Sequence, residues 1–462
     1  MKPLIAALLV ATVALAGCAA VGPNYATPIA PVAAAFRNLP PAPPTGAEPW
    51  WTRFGDRLLS QAVAEALTQN LDIEAAVARV TQARSAARAA GAALLPAGQV
   101  QADASRASQS LVGSNAQAAA HQRDVSLFDA GVGASWEIDL FGGQRRRAEA
   151  AGADVQAAEA GLAGARLVFA AETADAYLQL RGFQSRLALA ERRVADDAKV
   201  LELTNLLFEA GHAPRLQRDQ AEAVLAQAEA TLPLLRAGIE AELNRLAVLC
   251  GRTPESERAE LAATGSVPAP EAMPGGLTPR DLLRTRPDVA AAERRLAASN
   301  ARIGAALADY YPKVDLQALI GFQSLTTGKL FSADAGLAQG SAGLRWRLFD
   351  FGRVDAEVAG ARGAYAEALA NWRRAVLLAA EDVENALTQL AERGSQLSRL
   401  QSASLALEHA RGAAQAGYER GAVSLLDVID TERQLLLTED QFADVNTQRA
   451  RAMVALHRAL GR

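Results

Sequence analysis

The chain has 462 residues, half of them hydrophobic but only 5% aromatic, and a formal net charge of −4 at pH 7. That length fits two or three ordinary domains or one elongated one, and no run of Lys or Arg is long enough to suggest nucleic acid. Alanine supplies much of the apolar count, and as the best helix former it favours helix packed on helix over a large aromatic core.

Residues 1–17 read as a signal peptide. Lys2 is a minimal positive region, and the apolar stretch Leu4 to Leu15 is too short for a bilayer, which needs about 20 apolar residues. It ends in Leu15-Ala16-Gly17-Cys18, which looks like a bacterial lipobox. Cleavage before Cys18 would leave a diacylglycerol thioether on its thiol and an acyl group on the new N-terminus. No other cofactor is expected. Ala19 stands where an Asp would suggest retention in the inner membrane, so outer-membrane delivery is expected. With Cys18 lipidated, Cys250 has no disulfide partner and reads as a small buried hydrophobe. Residues 18–56 form a Pro-rich, lipidated N-terminal segment whose early part reads as a tether.

The rest is written twice. Asn70-Leu71-Asp72-Ile73 leads to Leu95-Pro96, and Arg286-Pro287-Asp288-Val289 leads to Tyr311-Pro312, 216 positions on. Trp136 to Gly142 is echoed by Trp346 to Gly352, and Phe208-Glu209-Ala210-Gly211 by Tyr418-Glu419-Arg420-Gly421, both 210 positions on. The first repeat, 57–250, predicts a helix from Arg57 to Leu95, strands over 97–108 and 124–140, a long helix over 142–210, and a helix from Arg215 to Leu249. A Pro- and Gly-rich connection, 251–279, is placed at the equator. The second repeat, 280–462, predicts a helix from Arg280 to Asp309, strands over 313–323 and 339–350, a long helix over 352–420, and a helix from Leu425 to Leu460.

Between Gly142 and Gly211 there is no proline, and a helix of that length would run about 100 Å at about 1.5 Å per residue. Leu162, Phe169, Ala176, Phe183 and Ala190 recur every seven residues, as do Thr173, Leu180, Leu187, Val194, Leu201 and Phe208. Val376, Val383, Leu390 and Leu397 do the same in the second repeat, beside Ala379, Ala386, Leu400, Leu407 and Ala414, a series interrupted by Arg393. Interleaved heptads make a coiled-coil seam that a neighbouring helix must cover.

The strands alternate. Val314, Leu316, Ala318, Ile320 and Phe322 interleave with Asp315, Gln317, Leu319 and Gly321, and Ala342, Leu344, Trp346 and Leu348 with Gly343, Arg345 and Arg347. Such a period suits a membrane barrel strand or a half-exposed hairpin. Trp136 and Trp346 near strand ends suit an interfacial girdle or a core site. Four strands cannot close a barrel, and an open edge in hydrocarbon costs several kcal/mol per unpaired group, so copies must pool strands. Three copies would give twelve strands, wide enough for a passage.

Gly22-Pro23-Asn24-Tyr25, Trp50-Trp51 with Phe54, Ala134 to Gly142, Arg286-Pro287-Asp288-Val289 and Ala292-Glu293-Arg294, in that order, resemble the TolC-like outer-membrane factors of tripartite (RND-type) efflux systems, in the OprM/NodT lipoprotein group. The resemblance implies a mainly α protein with a small membrane β-barrel. It implies a homotrimer whose twelve strands stand on a long periplasmic α-helical barrel. It further implies passive conduction of substrates, a periplasmic adaptor (membrane fusion) protein, an inner-membrane RND-type transporter, and no catalysis. By the same resemblance the tips are 208–220 and 418–432, with Gly211, Gly421, Phe208 and Tyr418 at the turns where an adaptor would dock. Leu426 and Asp430 match the inward pair that constricts the closed end, with Leu216 and Gln220 at the first tip. Three Asp430 carboxylates around one axis would repel, and Asp427 reads as the helix cap. Gly417 replaces an Arg of some relatives, removing any salt bridge from that position.

Rival readings are a duct serving peptide or protein secretion and a non-conducting coiled-coil lipoprotein scaffold. An enzyme is disfavoured. Asp350-Phe351-Gly352 has no phosphate loop beside it, and His121, His212, His409 and His457 lack metal-ligand spacing.

Overall fold

The computed structural model describes residues 20–31, 33, 35–37, 49–108, 110, 123–256, 259–269 and 278–461. Cys18 and His121 lie outside them. Two compact units are present: one takes the N-terminal residues to Ile29, Arg79–Ala158 and Ala291–Trp372, and the other takes Ala30–Ala78, Glu159–Ala290 and the chain from Arg373 onward.

In chain order the elements are α1 (Arg57–Gln69), α2 (Leu71–Ala92), β1 (Ala97–Ser108), β2 (Asp124–Ile138), α3 (Gly143–Glu209), α4 (Arg215–Glu229), α5 (Leu232–Leu249) and a short α6 (Ala259–Ala262). The second repeat follows as α7 (Pro279–Thr285), α8 (Pro287–Leu307), β3 (Lys313–Ser324), β4 (Gly336–Arg345), α9 (Arg353–Glu419) and α10 (Leu425–Leu460).

Three helices read as continuous are broken, each for a local reason. Asn70 ends α1, and its side-chain Oδ1 accepts from the amides of Asp72 and Ile73 to start α2, while its Nδ2 donates to the Leu249 carbonyl at 2.9 Å. Pro233 starts α5 after a break at Ala230–Thr231, since proline fits the first turn of a helix but not its interior. Pro287 likewise separates α7 from α8 and pushes Arg286 into extended backbone. Of the four shorter helices expected, α10 alone runs unbroken, over 36 residues.

Two strands end earlier than their alternation suggested. β2 stops at Ile138 rather than 140 because Asp139 turns back to accept from the amides of Gln144 and Arg145 at 3.0 and 2.9 Å, capping α3. The strand read as 339–350 occupies Gly336–Arg345. Trp346 to Leu348 overrun the start of β3 at Lys313, so among the described residues no neighbour extends the ladder.

The second unit is helical, and the heptad series line its core at Thr173, Ala176, Leu180, Val376, Ala379 and Val383, all nearly inaccessible. Across it, Arg186 on α3 forks onto Asp440 of α10 at 2.7 and 2.9 Å, and Arg451 onto Asp175 at the same two distances. Trp50 is buried, stacked on His457 with ring centroids 5.2 Å apart, and edge-on to Trp51 and Phe54. Cys250 is buried beside the Ala62 carbonyl.

A buried polar network pins the inter-repeat connection. Arg181 donates to the Tyr177 hydroxyl, to Gln184 and to the Ala263 carbonyl, and Gln184 donates to the Leu261 carbonyl. Arg286 plays a matching part at the second repeat: it pairs with Asp288 at 2.7 Å and Asp382 at 3.0 Å, and donates to the Ala459 carbonyl near the end of α10.

Candidate functional site

The sheet of the first unit runs β1-β2-β3-β4, antiparallel throughout, and the register decides its chemistry. Directly opposed residues in an antiparallel pair point to the same face. Val100, Val132, Ile320 and Ala338 therefore lie in one row, and Trp136, Leu316 and Ala342 in another on the same face. Ile138, Val314 and Leu344 continue it. The opposite face carries Glu137, Asp315 and Gly343, then Ser135, Gln317 and Ser341, then Gln99, Gly133, Leu319 and Gln339. Arg345 pairs there with Asp315 at 3.1 Å, and Gln323 with Asp129 at 2.6 Å. Gln99, Gln101, Gln317 and Gln339 ring a shallow cavity of about 290 Å³.

The apolar face is bare: Val100 is 82% exposed, Ile320 70% and Leu344 68%. Apolar side chains left in contact with solvent over three strands mark a surface made for another apolar phase. Among the described residues β1 and β4 each keep one unpaired edge. Among the described residues no helix is long and apolar enough to cross a membrane.

At the foot of the sheet the duplicated tryptophans do the same job. Trp136 Nε1 donates to the Leu94 carbonyl at 3.0 Å, and Trp346 Nε1 to the Tyr310 carbonyl at 2.9 Å. Each acceptor lies two residues before the proline that leads into a strand. Phe141 stacks on Tyr311 with centroids 4.5 Å apart.

The N-terminal residues are not a loose tether where they are described. Gly22, at φ 94°, sits so close to Gly304 of α8 that a Cβ would lie 2.5 Å from the Gly304 Cα. Arg146, buried on α3, donates to the carbonyls of Val21 and Gly22 and to Asn24 Oδ1 at 2.9 Å. Asn300 donates to the Pro23 carbonyl, and Glu293 accepts from Tyr25 and Thr27 as well as from Arg294. Desolvation and the neighbouring Glu293 carboxylate push the Tyr25 phenol up to about 12. These contacts give a structural reason for Gly22-Pro23-Asn24-Tyr25 and Glu293-Arg294.

The two tips, in the second unit, share one turn. Gly211 and Gly421 take φ 76° and 71°, and the amides after them reach back five residues, His212 to the Leu207 carbonyl and Ala422 to the Gly417 carbonyl. This closes each long helix as a Schellman turn, in which glycine supplies the left-handed residue. Phe208 is half-buried with the Arg218 guanidinium 5.2 Å from its ring centre, and Tyr418 is half-buried.

Ser424, rather than Asp427, caps α10. Its hydroxyl accepts from the Asp427 amide, and Asp427 returns its carboxylate to the Ser424 amide at 2.9 Å and hydroxyl at 2.7 Å. Those bonds, the hydroxyl's first, hold the Asp427 carboxyl below the usual range. Leu426 is 41% exposed, and Asp430, one turn on, meets Arg433 at 3.1 Å and Gln434 at 2.7 Å. Gly417 lies under Val423, whose Cγ2 would be 3.0 Å from any Cβ placed there. Sequence reasoning did not anticipate Arg433 as the partner of Asp430, although its spacing of three along a helix was visible.

The model of a family described as "Outer membrane efflux protein" matches residues 62–252 and again 278–462. Nodulation protein T of Rhizobium leguminosarum bv. trifolii is 30% identical over 97% of this chain and 95% of its own length. The pyoverdine export outer membrane protein OpmQ of Pseudomonas putida is 33% identical over 89% of this chain and 87% of its own. Among solved structures, the outer-membrane channel OprN superposes with a TM-score of 0.88 at 33% identity, covering 96% of this chain and 99% of that one.

Proposed function

The chain belongs to the outer membrane efflux protein family, whose members are channels and not enzymes, and from that premise we propose how this one is assembled and gated. Three copies pool their four-stranded sheets into a twelve-stranded barrel, apolar outward to lipid and polar inward to the passage. The carrying observation is the register that puts Val100, Val132 and Ile320 on one face and Gln99, Gln317 and Gln339 on the other, in a sheet with two unpaired edges. A water-lined lumen and the absence of lipid-facing open backbone follow together when those edges pair.

Substrates leave passively, driven by an inner-membrane RND-type transporter and joined through a periplasmic adaptor that docks beside Gly211 and Gly421, against Phe208 and Tyr418. Leu426 and Asp430 constrict the periplasmic end. The Asp430–Arg433 pair, exposed to solvent, tempers the mutual repulsion of three carboxylates but holds weakly. Cys18 carries the lipid. Planar-bilayer recording of the purified protein tests the assembly and gate. Discrete channels of low conductance that rise in Asp430→Ala support it, and a protein that stays monomeric and forms no channels refutes it.

A further inference from the structure

The internal duplication dictates a contact that lies beyond a single copy. β1 maps onto β3 by a step of 216 and β2 onto β4 by a step of 210, and under those steps the pair Ala97↔Ser135 falls on Lys313↔Arg345, so the two hairpins share one register. The seam between repeats is β2 against β3, with Trp136 opposite Leu316 and Ala134 opposite Ala318. Carrying the same steps across that seam turns it into β4 against β1 of another copy.

We propose that the sheet closes on its neighbour in this one register: Trp346 opposite the partner's Val100, Leu344 opposite the partner's Ala102, and Arg345 opposite the partner's Gln101. At its foot, Phe351 packs on the partner's Leu95 as Phe141 packs on Tyr311. The proposal rests on the assembly described above and adds its alignment.

Three observations converge on it. On the bare face the derived register sets Trp346, Leu344 and Ala342 against the partner's Val100, Ala102 and Ala104, apolar against apolar, and on the other face it sets Arg345 against the partner's Gln101, whereas a one-residue slip would reverse every side chain. β4 stops at Arg345, while its counterpart β2 continues through Trp136 to Ile138 on the strength of β3 alone. The partner's β1 is what Trp346 to Leu348 need to continue the strand. The residues awaiting cover are also the ones that stand bare: Leu95 is 66% exposed, Val100 82% and Phe351 102%, and Phe351 is the one non-glycine described residue with positive φ, at 54°. Its counterpart Phe141, which has its stacking partner, does not adopt that conformation.

Cysteine pairs in the full-length chain test the alignment. Opposed positions on the two faces of an antiparallel pair differ in hydrogen-bonding class, so one of two adjacent pairs brings its Cβ atoms close enough for a disulfide. Leu344→Cys with Ala102→Cys, or Arg345→Cys with Gln101→Cys, should therefore give covalent trimers on non-reducing gels, and a chain carrying just one of the two substitutions should not. Preferential cross-linking of Leu344→Cys with Gln101→Cys, Val100→Cys or Ala104→Cys overturns the register, as does a trimer by native mass that cross-links at none of the pairs. A monomer by native mass overturns the assembly itself.

Discussion

Tyr177 donates its hydroxyl to Asp56 at 2.7 Å, joining the middle of the first long helix to the residue that starts α1. The other carboxylate oxygen of Asp56 accepts from the amides of Leu58 and Leu59. One carboxylate thus caps a helix and orients a phenol that in turn receives Arg181 at 3.1 Å. Burial, with the bond to Asp56 second, pushes the Tyr177 phenol up to about 12. Tyr177→Phe leaves Arg181 and Asp56 each short of a partner, and removal of one member of a buried polar contact costs about 1–3 kcal/mol. A denaturant titration of the purified protein should show that loss, and an unchanged midpoint would mean water replaces the hydroxyl.

The tip glycines offer a test of backbone conformation free of packing. A Cβ on Gly211 or Gly421 would meet open space, so alanine there is opposed only by the left-handed φ. That conformation costs an L-residue about 1–2 kcal/mol. Gly421→Ala should assemble normally, yet show faster hydrogen exchange at Ala422 and Val423 than the parent. Equal exchange rates would show that the turn does not need glycine.

The cap of α10 should be sensitive to acid. The folded-state carboxyl of Asp427 titrates below its unfolded value. Its contribution is therefore present above the ordinary carboxylate range and is lost as pH falls through the depressed folded value. Amide protection in the first turn of α10 should be flat from neutral pH down to that range and then drop, and Asp427→Asn should remove the drop. A fall in protection between pH 8 and 6 would point to a different group.

Gly304→Ala should release the N-terminal arm. Its Cβ would lie 2.8 Å from both the Val21 carbonyl and Arg146 Nε, the groups that hold the arm in place. Hydrogen exchange over residues 20–31 should rise while the sheet stays protected. Unaltered exchange there would show that α8 shifts to make room.

Much of this architecture is legible in order along the chain because its signals are local. The long helices announce themselves through heptads and missing prolines, and Pro287 and Pro233 mark breaks that were there to be read. Alternation reveals the faces of β3, but the polar, Ala-rich β1 acquires its apolar face only when Val100 is aligned with Val132 and Ile320. The end of β4 was misjudged because periodicity continues past Arg345 while pairing does not. The distant partners of Tyr177, Arg181 and Arg286 were beyond reach for another reason: Asp56, Ala263 and Ala459 lie far off in sequence, and nothing local encodes the encounter. At the tips, the turn glycines were visible, but the choice between Ser424 and Asp427 as cap required the direction of a hydrogen bond.

The clasp of Gly22 on Gly304 bears on where this molecule can stand. With Ala20 already against Gly142 and Val21 bonded to the Phe141 carbonyl, the proposed acylated Cys18 is only two residues from a fixed point. Two extended residues reach about 7 Å. Fatty chains on so short a leash, were Cys18 to carry them, would be kept beside the wall. They would act as a depth gauge, setting how far the wall sinks into the lipid.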